Sequence, residues 1–169
     1  MLGLAVWSHS RTRPLMEVAR LLKTEAGMGL SPEARNGATR FPWKSMIRVL
    51  LVDDQVAVRS GLRMRLALEP DIAVVGEGDD GATALALAPA LRPDVILMDI
   101  ELPQMDGISA TAALRDLVPS AAVVILSIHD GSATRARARA AGAADFVGKH
   151  EAGDRLPEAI RRAASGVVK

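Results

Sequence analysis

The sequence predicts an α/β fold: a doubly wound sheet of five parallel strands with helices on both faces. Three observations predict it. From residue 47 onward, short Val/Ile/Leu runs alternate with segments of helical period, the signature of successive βαβ units. The runs themselves, such as Val95-Ile96-Leu97-Met98 and Val123-Val124-Ile125-Leu126, are apolar without alternation, as strands buried on both faces must be. Pro70, Pro93, Pro119 and Gly142 fall at or just beyond the ends of periodic segments, where such residues end helices.

The elements follow in order. A first strand over 47–52 leads to a helix over 56–68, in which Val58, Leu62 and Leu66 recur at i, i+4 and i+8. That stripe faces the sheet while Arg59, Arg63 and Arg65 reach solvent, and Pro70 ends the helix. A second strand over 72–76 precedes a helix over 80–91, followed by Pro93. The third strand, 94–99, passes through a loop to a helix over 106–117 that Asp106 is placed to cap, with Pro119 beyond it. The fourth strand, 122–127, precedes a helix over 131–141. There Arg135, Arg137 and Arg139 fan around the axis as a solvated face, and Gly142 occupies the left-handed C-terminal position. A fifth strand over 144–148 and a helix over 153–165 complete the set.

Residues 1–45 read differently. One short helix from Pro14 to Ala26 is followed by Gly27, Gly29, Pro32, Gly37 and Pro42 among polar residues, so this segment is expected to be a mobile N-terminal extension to a domain over 46–169. Leu15, Val18 and Leu22 with basic neighbours also fit an amphipathic stripe that docks on a partner or a lipid surface. The formal charge of +1 conceals an asymmetry: residues 1–45 carry seven Lys/Arg against three Asp/Glu, and the remainder fourteen against seventeen. A mildly acidic body with only two Phe and two Trp in the whole chain lacks the footprint of a nucleic-acid-binding surface. With no cysteine, disulfides and thiolate metal sites are excluded. No apolar run approaches the length of a membrane span and Met1–Trp7 is too short for a signal sequence, so a cytoplasmic location without membrane contact is expected.

The chemistry-bearing residues sit where the strands end. Asp53 and Asp54 follow the first strand, Asp99 closes the third, Ser127 the fourth, and Lys149 follows the fifth. The carboxyl edge of a parallel sheet is where this architecture places its sites. Three carboxylates in one crevice repel unless one takes up a proton or a cation sits among them. Mg²⁺, a hard ion that keeps several waters and uses one or two carboxylates, fits that need, and Lys149 adds a fixed positive charge. Asp99 is then able to attack phosphorus and form an acyl phosphate. Taken singly, each residue has an ordinary account. Asp54 fits a helix cap, Ser127 another, Lys149 a solvated loop cation, and His129 a surface residue without a second ligand at metal-binding spacing.

In order and together, these residues resemble the receiver domain of two-component response regulators. The resemblance covers Met46 to about Gly166 and rests on Val52-Asp53-Asp54, Met98-Asp99, the Leu102-Pro103-Gln104-Met105-Asp106-Gly107 loop, Ser127 and Lys149. The intervals are 45 residues from Asp54 to Asp99, 28 to Ser127 and 22 to Lys149. It implies a (βα)5 flavodoxin-like fold, with Asp99 as phosphoacceptor and with Asp53, Asp54 and the Glu101 backbone carbonyl holding Mg²⁺. Ser127 and Lys149 would bind the phosphoryl group, and Phe146 would be the switch aromatic that follows Ser127. It further implies a sensor histidine kinase as donor. A surface of the fourth helix, fifth strand and fifth helix would be used for dimerisation or partner binding. Such a protein is a switch rather than an enzyme, catalysing only its own phosphorylation and dephosphorylation. Glu101 and His129 occupy positions that in the family tune the lifetime of the acyl phosphate. In style the chain is most similar to receivers that precede a LuxR-type helix-turn-helix. Two outputs remain open: a stand-alone receiver acting by protein contact, or a transcriptional regulator truncated before its DNA-binding domain. A phosphatase with an Asp nucleophile fits less well, because its acid pair belongs on the first strand.

Overall fold

A computed structural model describes residues 46–166. Its strands are β1 (Ile47–Val52), β2 (Ile72–Gly78), β3 (Val95–Asp99), β4 (Ala122–Ser127) and β5 (Asp145–Gly148). They pair in parallel in the order β2-β1-β3-β4-β5. The helices are α1 (Val56–Leu66), α2 (Gly81–Leu91), α3 (Gly107–Leu117), α4 (Ser132–Ala141) and α5 (Ala152–Gly166), the last entered through a 3-10 turn at Lys149–Glu151. The N-terminal extension lies outside the described residues.

The order explains why the helices cover both faces. The chain moves outward from β1 to β2, then reverses across β1 to β3, β4 and β5. Right-handed crossovers then put α1 on one face and α2, α3 and α4 on the other. Two cores result. Val49, Leu51, Val95, Leu97 and Val124 pack with Leu66 of α1 and Leu156 and Ile160 of α5. Leu50, Val52, Ile96, Met98 and Ile125 pack with Ala84, Ala88, Ala110, Leu114 and Ala138 of the opposite helices. Successive residues of β3 thus point into different cores and both are buried, which is why its apolar run shows no period of two.

Several local features were not visible in the chain's pattern. Helix α1 stops at Leu66, short of Pro70, because Leu68 and Glu69 bond back to Arg65 and Leu66 carbonyls and tighten the chain into turns. Strand β2 runs on to Gly78. Val49 pairs Val74 but Leu50 pairs Gly76, so Val75 is an extra residue and the bulge restores register to the strand ends. Two prolines lie inside helices, Pro89 in α2 and Pro157 in α5. Pro157 cannot donate to the carbonyl four residues back, that of Gly153. That carbonyl accepts instead from Nε of Arg65 at 2.8 Å, which ties α5 to α1. Close by, Arg161 of α5 pairs with both Asp71 and Glu69.

Two glycines are required by geometry. Gly142 caps α4 at φ +102°, a conformation costly for any residue with a Cβ. Gly107 opens α3 directly against the end of β3, where a Cβ would collide with the backbone oxygen of Asp99.

Truncating Leu97 to Ala, at a fully buried position, is expected to lower unfolding free energy by about 2–5 kcal/mol in urea titration, the usual cost of a core cavity. Gly107→Ala should cost about 1–3 kcal/mol and displace the amide resonances around Asp99. Wild-type stability in that variant would contradict the close approach of α3 to β3.

Candidate functional site

Strand register assembles the site. Val52 pairs Met98, so Asp53 comes level with Asp99; Asp99 pairs Leu126, one residue before Ser127; and Ser127 pairs Gly148, one residue before Lys149. Four strand ends thereby bring together the residues that the sequence separates by almost a hundred positions. They meet at the crevice between β1 and β3, where the winding direction of the sheet reverses.

Asp53 and Asp99 are nearly inaccessible, at 1% and 2% exposure, whereas Asp54 is exposed. One carboxylate oxygen from each of the three lies within 4.8 Å of the others. Lys149 Nζ stands 2.7 Å from Oδ2 of Asp53 and 2.7 Å from Oδ2 of Asp99, a single cation shared between two buried anions. It donates a well-formed hydrogen bond to Asp99, while buried Oδ2 of Asp53 has charge contact but no aligned donor. The other Asp53 oxygen accepts from the Gln55 N–H at 2.9 Å. The turn after β1 is therefore made by Asp53, and the residue before α1, Gln55, makes no side-chain cap. Asp54 does not cap α1, and its side chain is left facing the mouth of the site.

Electrostatics follow from this imbalance. Burial pushes the Asp99 carboxyl above its ordinary range, and the neighbouring charge of Asp53 adds to the push, against the hydrogen bond and charge of Lys149 and a backbone N–H of Glu101. Burial works against the Lys149 ammonium too, but its close contacts with the carboxylates of Asp53 and Asp99 outweigh it and raise its pKa. The lysine has more partners than it needs and the carboxylates have fewer.

At the rim, Ser127 is buried at 1% exposure and its Oγ accepts the His129 N–H at 3.0 Å. His129 is a surface residue, with Nε2 3.4 Å from the exposed Glu101 carboxylate. Asp106 caps α3, accepting from the N–H groups of Ile108 and Ser109, as its place before the helix suggested. Phe146 is buried, at 7% exposure, beside the α2–α4 core.

Besides Arg65, which joins α1 to α5, two further arginines depart from the expected solvated faces. Arg59, with a side chain only 14% exposed, folds back to pair with Glu77 and to donate to the Asp53 carbonyl. It braces the acidic turn from α1. Arg135 lies over the Phe146 ring, 4.5 Å from the centroid. Neither contact leaves a periodic signal, because both depend on which strand ends the helix lands beside. A cleft of about 580 Å³ opens at the opposite end of the sheet, between Thr111, Arg115, Asp145 and Arg162, and none of the strand-end residues lines it. No helix among the described residues is long and apolar enough to cross a membrane.

Comparison with known proteins agrees with this geometry. Residues 49–161 match the model of the response regulator receiver domain. The chain is 37% identical over 123 residues to the transcriptional regulatory protein DegU of Brevibacillus brevis, covering 73% of this chain and 52% of that protein. It is also 37% identical over 143 residues to a protein-glutamate methylesterase/protein-glutamine glutaminase of Cereibacter sphaeroides, covering 83% of this chain and 37% of that enzyme. Among solved structures, the signal receiver domain of NarL from Mycobacterium tuberculosis superposes with a TM-score of 0.69 at 38% identity, over 72% of this chain and 98% of that one. The chain thus spans about half the length, or less, of these curated relatives. With its flavodoxin-like five-stranded parallel sheet and the acidic strand-end cluster in register, this chain belongs to the response regulator receiver domain family of two-component systems.

Proposed function

We propose that the chain is a phosphoacceptor switch in which Asp99 receives a phosphoryl group from a sensor histidine kinase. The observation that carries this reading is the shared ammonium: Lys149 lies 2.7 Å from both Asp53 and Asp99 beside three mutually close carboxylate oxygens. A structural salt bridge needs one acid per lysine, whereas an excess of buried carboxylate calls for a further cation.

The residues fit Mg²⁺. The oxygen of Asp53 that lacks an aligned donor, the exposed Asp54 and Asp99 supply hard anionic ligands, and the Glu101 backbone carbonyl would complete the protein's share. Bound there, the ion would neutralise charge on the incoming phosphoryl oxygens. A carboxylate oxygen of Asp99 attacks phosphorus, the bond to the donor's leaving atom breaks, and that atom departs with the electron pair; the product is an acyl phosphate. Lys149 then exchanges its contact with Asp99 for one to a phosphoryl oxygen. The Ser127 hydroxyl, whose oxygen now only accepts from His129 N–H, has its proton free to donate to another. Movement of Ser127 with the β4–α4 segment, followed by Phe146, alters the α4-β5-α5 face and shifts a two-state equilibrium. On this reading the chain catalyses only its own phosphorylation and hydrolysis, and that face engages a partner or a second copy.

Relatives named as transcriptional regulators extend well beyond the matched region, which favours a second reading of the output: control of a DNA-binding domain, with no nucleic-acid contact by the receiver itself.

Incubation with acetyl phosphate and Mg²⁺ should add one hydroxylamine-labile phosphoryl group to the wild type, read by intact mass, and none to Asp99→Asn or in the presence of chelator. Failure of the folded wild type to label would refute the reading.

Stability without divalent ions provides an independent check. Because folded Asp99 holds its proton more tightly than the unfolded chain, the native state carries the extra proton above the ordinary value of 3.8. Its contribution to stability therefore declines as pH rises from that value through the raised folded value, and the cost is greatest above both. Asp99→Asn is expected to melt at a higher temperature than wild type at pH 7 in chelator, the difference shrinking toward pH 4. A lower melting temperature at pH 7 would mean that attraction to Lys149 outweighs burial.

A further inference from the structure

Arg135 is fastened to two parts of the molecule at once. Its guanidinium carbon lies 4.5 Å from the centroid of the Phe146 ring, a cation–π distance. Nη1 donates to the Phe146 carbonyl at 3.4 Å. Nε donates to the Asp130 carbonyl at 2.9 Å, and Nη2 stands 3.6 Å from the Asp130 carboxylate. Asp130 belongs to the segment 128–131 between β4 and α4, three residues past Ser127, and the neighbouring His129 N–H is bonded to the Ser127 hydroxyl. A continuous set of contacts therefore runs from Ser127 through the 128–131 segment and Arg135 to Phe146. Arg135 is itself 39% exposed at the side chain while Phe146 is 7% exposed. The planar guanidinium is thus the layer between the ring and water.

An arginine serving only to solvate α4 would extend into water, as the alternating Arg135, Arg137 and Arg139 pattern suggested. This one lies flat on an aromatic face and spends its donors on two backbone carbonyls. Lysine could supply the charge but not the flat fork that stacks and donates together.

We infer that Arg135 is a positioning residue of the switch. Its guanidinium clamps the Phe146 ring inward and pins the β4–α4 segment, so that displacement of the Ser127 hydroxyl and movement of Phe146 occur as one event. The inference rests on Asp99 being the phosphoacceptor, and it assigns to α4 the part that couples hydroxyl to aromatic.

The test uses the full chain labelled with 4-fluorophenylalanine. Phe41 and Phe146 are its two phenylalanines, and Phe41→Leu assigns the signals. Arg135→Ala should shift and broaden the Phe146 fluorine resonance. It should also slow labelling of Asp99 by acetyl phosphate about three- to tenfold, the range expected for losing a partly exposed cation–π contact, while Mg²⁺ affinity is unchanged. Arg135→Lys, which keeps the charge and guards against a folding defect, should displace the resonance in the same direction. A Phe146 signal that superposes on wild type in both variants overturns the clamp. A displaced signal with an unchanged labelling rate overturns the coupling. Absence of labelling in the wild type refutes the phosphoacceptor reading instead, and the fluorine resonance still decides whether the clamp exists.

Discussion

Lys149 faces Asp53 and Asp99 at 2.7 Å each, with Asp54 close by, and the rest of the structure is arranged around the consequences of that shortage of positive charge. Carboxylates at 1% and 2% exposure cannot relieve their repulsion through water. They must share the one ammonium, retain a proton, or recruit a further cation. The raised pKa of Asp99 and that of Lys149 express the same imbalance from its two sides. In the function proposed above, such a site accepts a divalent cation and a phosphoryl group together, each supplying what the other needs.

Holding such a cluster requires a rigid base. The sheet supplies it through two separate cores, one under α1 and α5 and the other under α2, α3 and α4, so that every central strand is fixed from both sides. Parallel register sets the strand ends level, and the bulge at Val75 keeps β2 in step with β1 up to Gly78. The approach of α3 through Gly107 to the Asp99 backbone and the brace of Arg59 on the Asp53 carbonyl hold the two buried acids from opposite faces. The contacts of Arg135 join the 128–131 segment beyond β4 to Phe146 within β5.

How much of this was legible in the chain differs by element. The central strands β3 and β4 were readable because they are buried on both faces and carry no polar residue until their carboxyl ends, which is also why Asp99 and Ser127 stood out there. The Asp106 cap and the Gly142 terminus were readable because capping is a local hydrogen-bond requirement. The end of α1 was misplaced, since turns at Leu68 and Glu69 intervene before Pro70. Pro157 within α5 is tolerated because Arg65, from a different helix, supplies the missing donor.

Sequence alone therefore determined the fold class and the placement of Asp53, Asp54, Asp99, Ser127 and Lys149 at the strand ends, because these depend on burial and local backbone needs that each segment carries within itself. Tertiary structure decided that one lysine serves two acids, that Asp53 rather than Asp54 makes the turn after β1, and that Arg59 and Arg135 turn inward from faces that look solvated. Those outcomes depend on strand register and on where each helix settles against the sheet. Long charged side chains reach whatever anion, carbonyl or ring lies within a few ångströms, and only the assembled fold determines which of them that is.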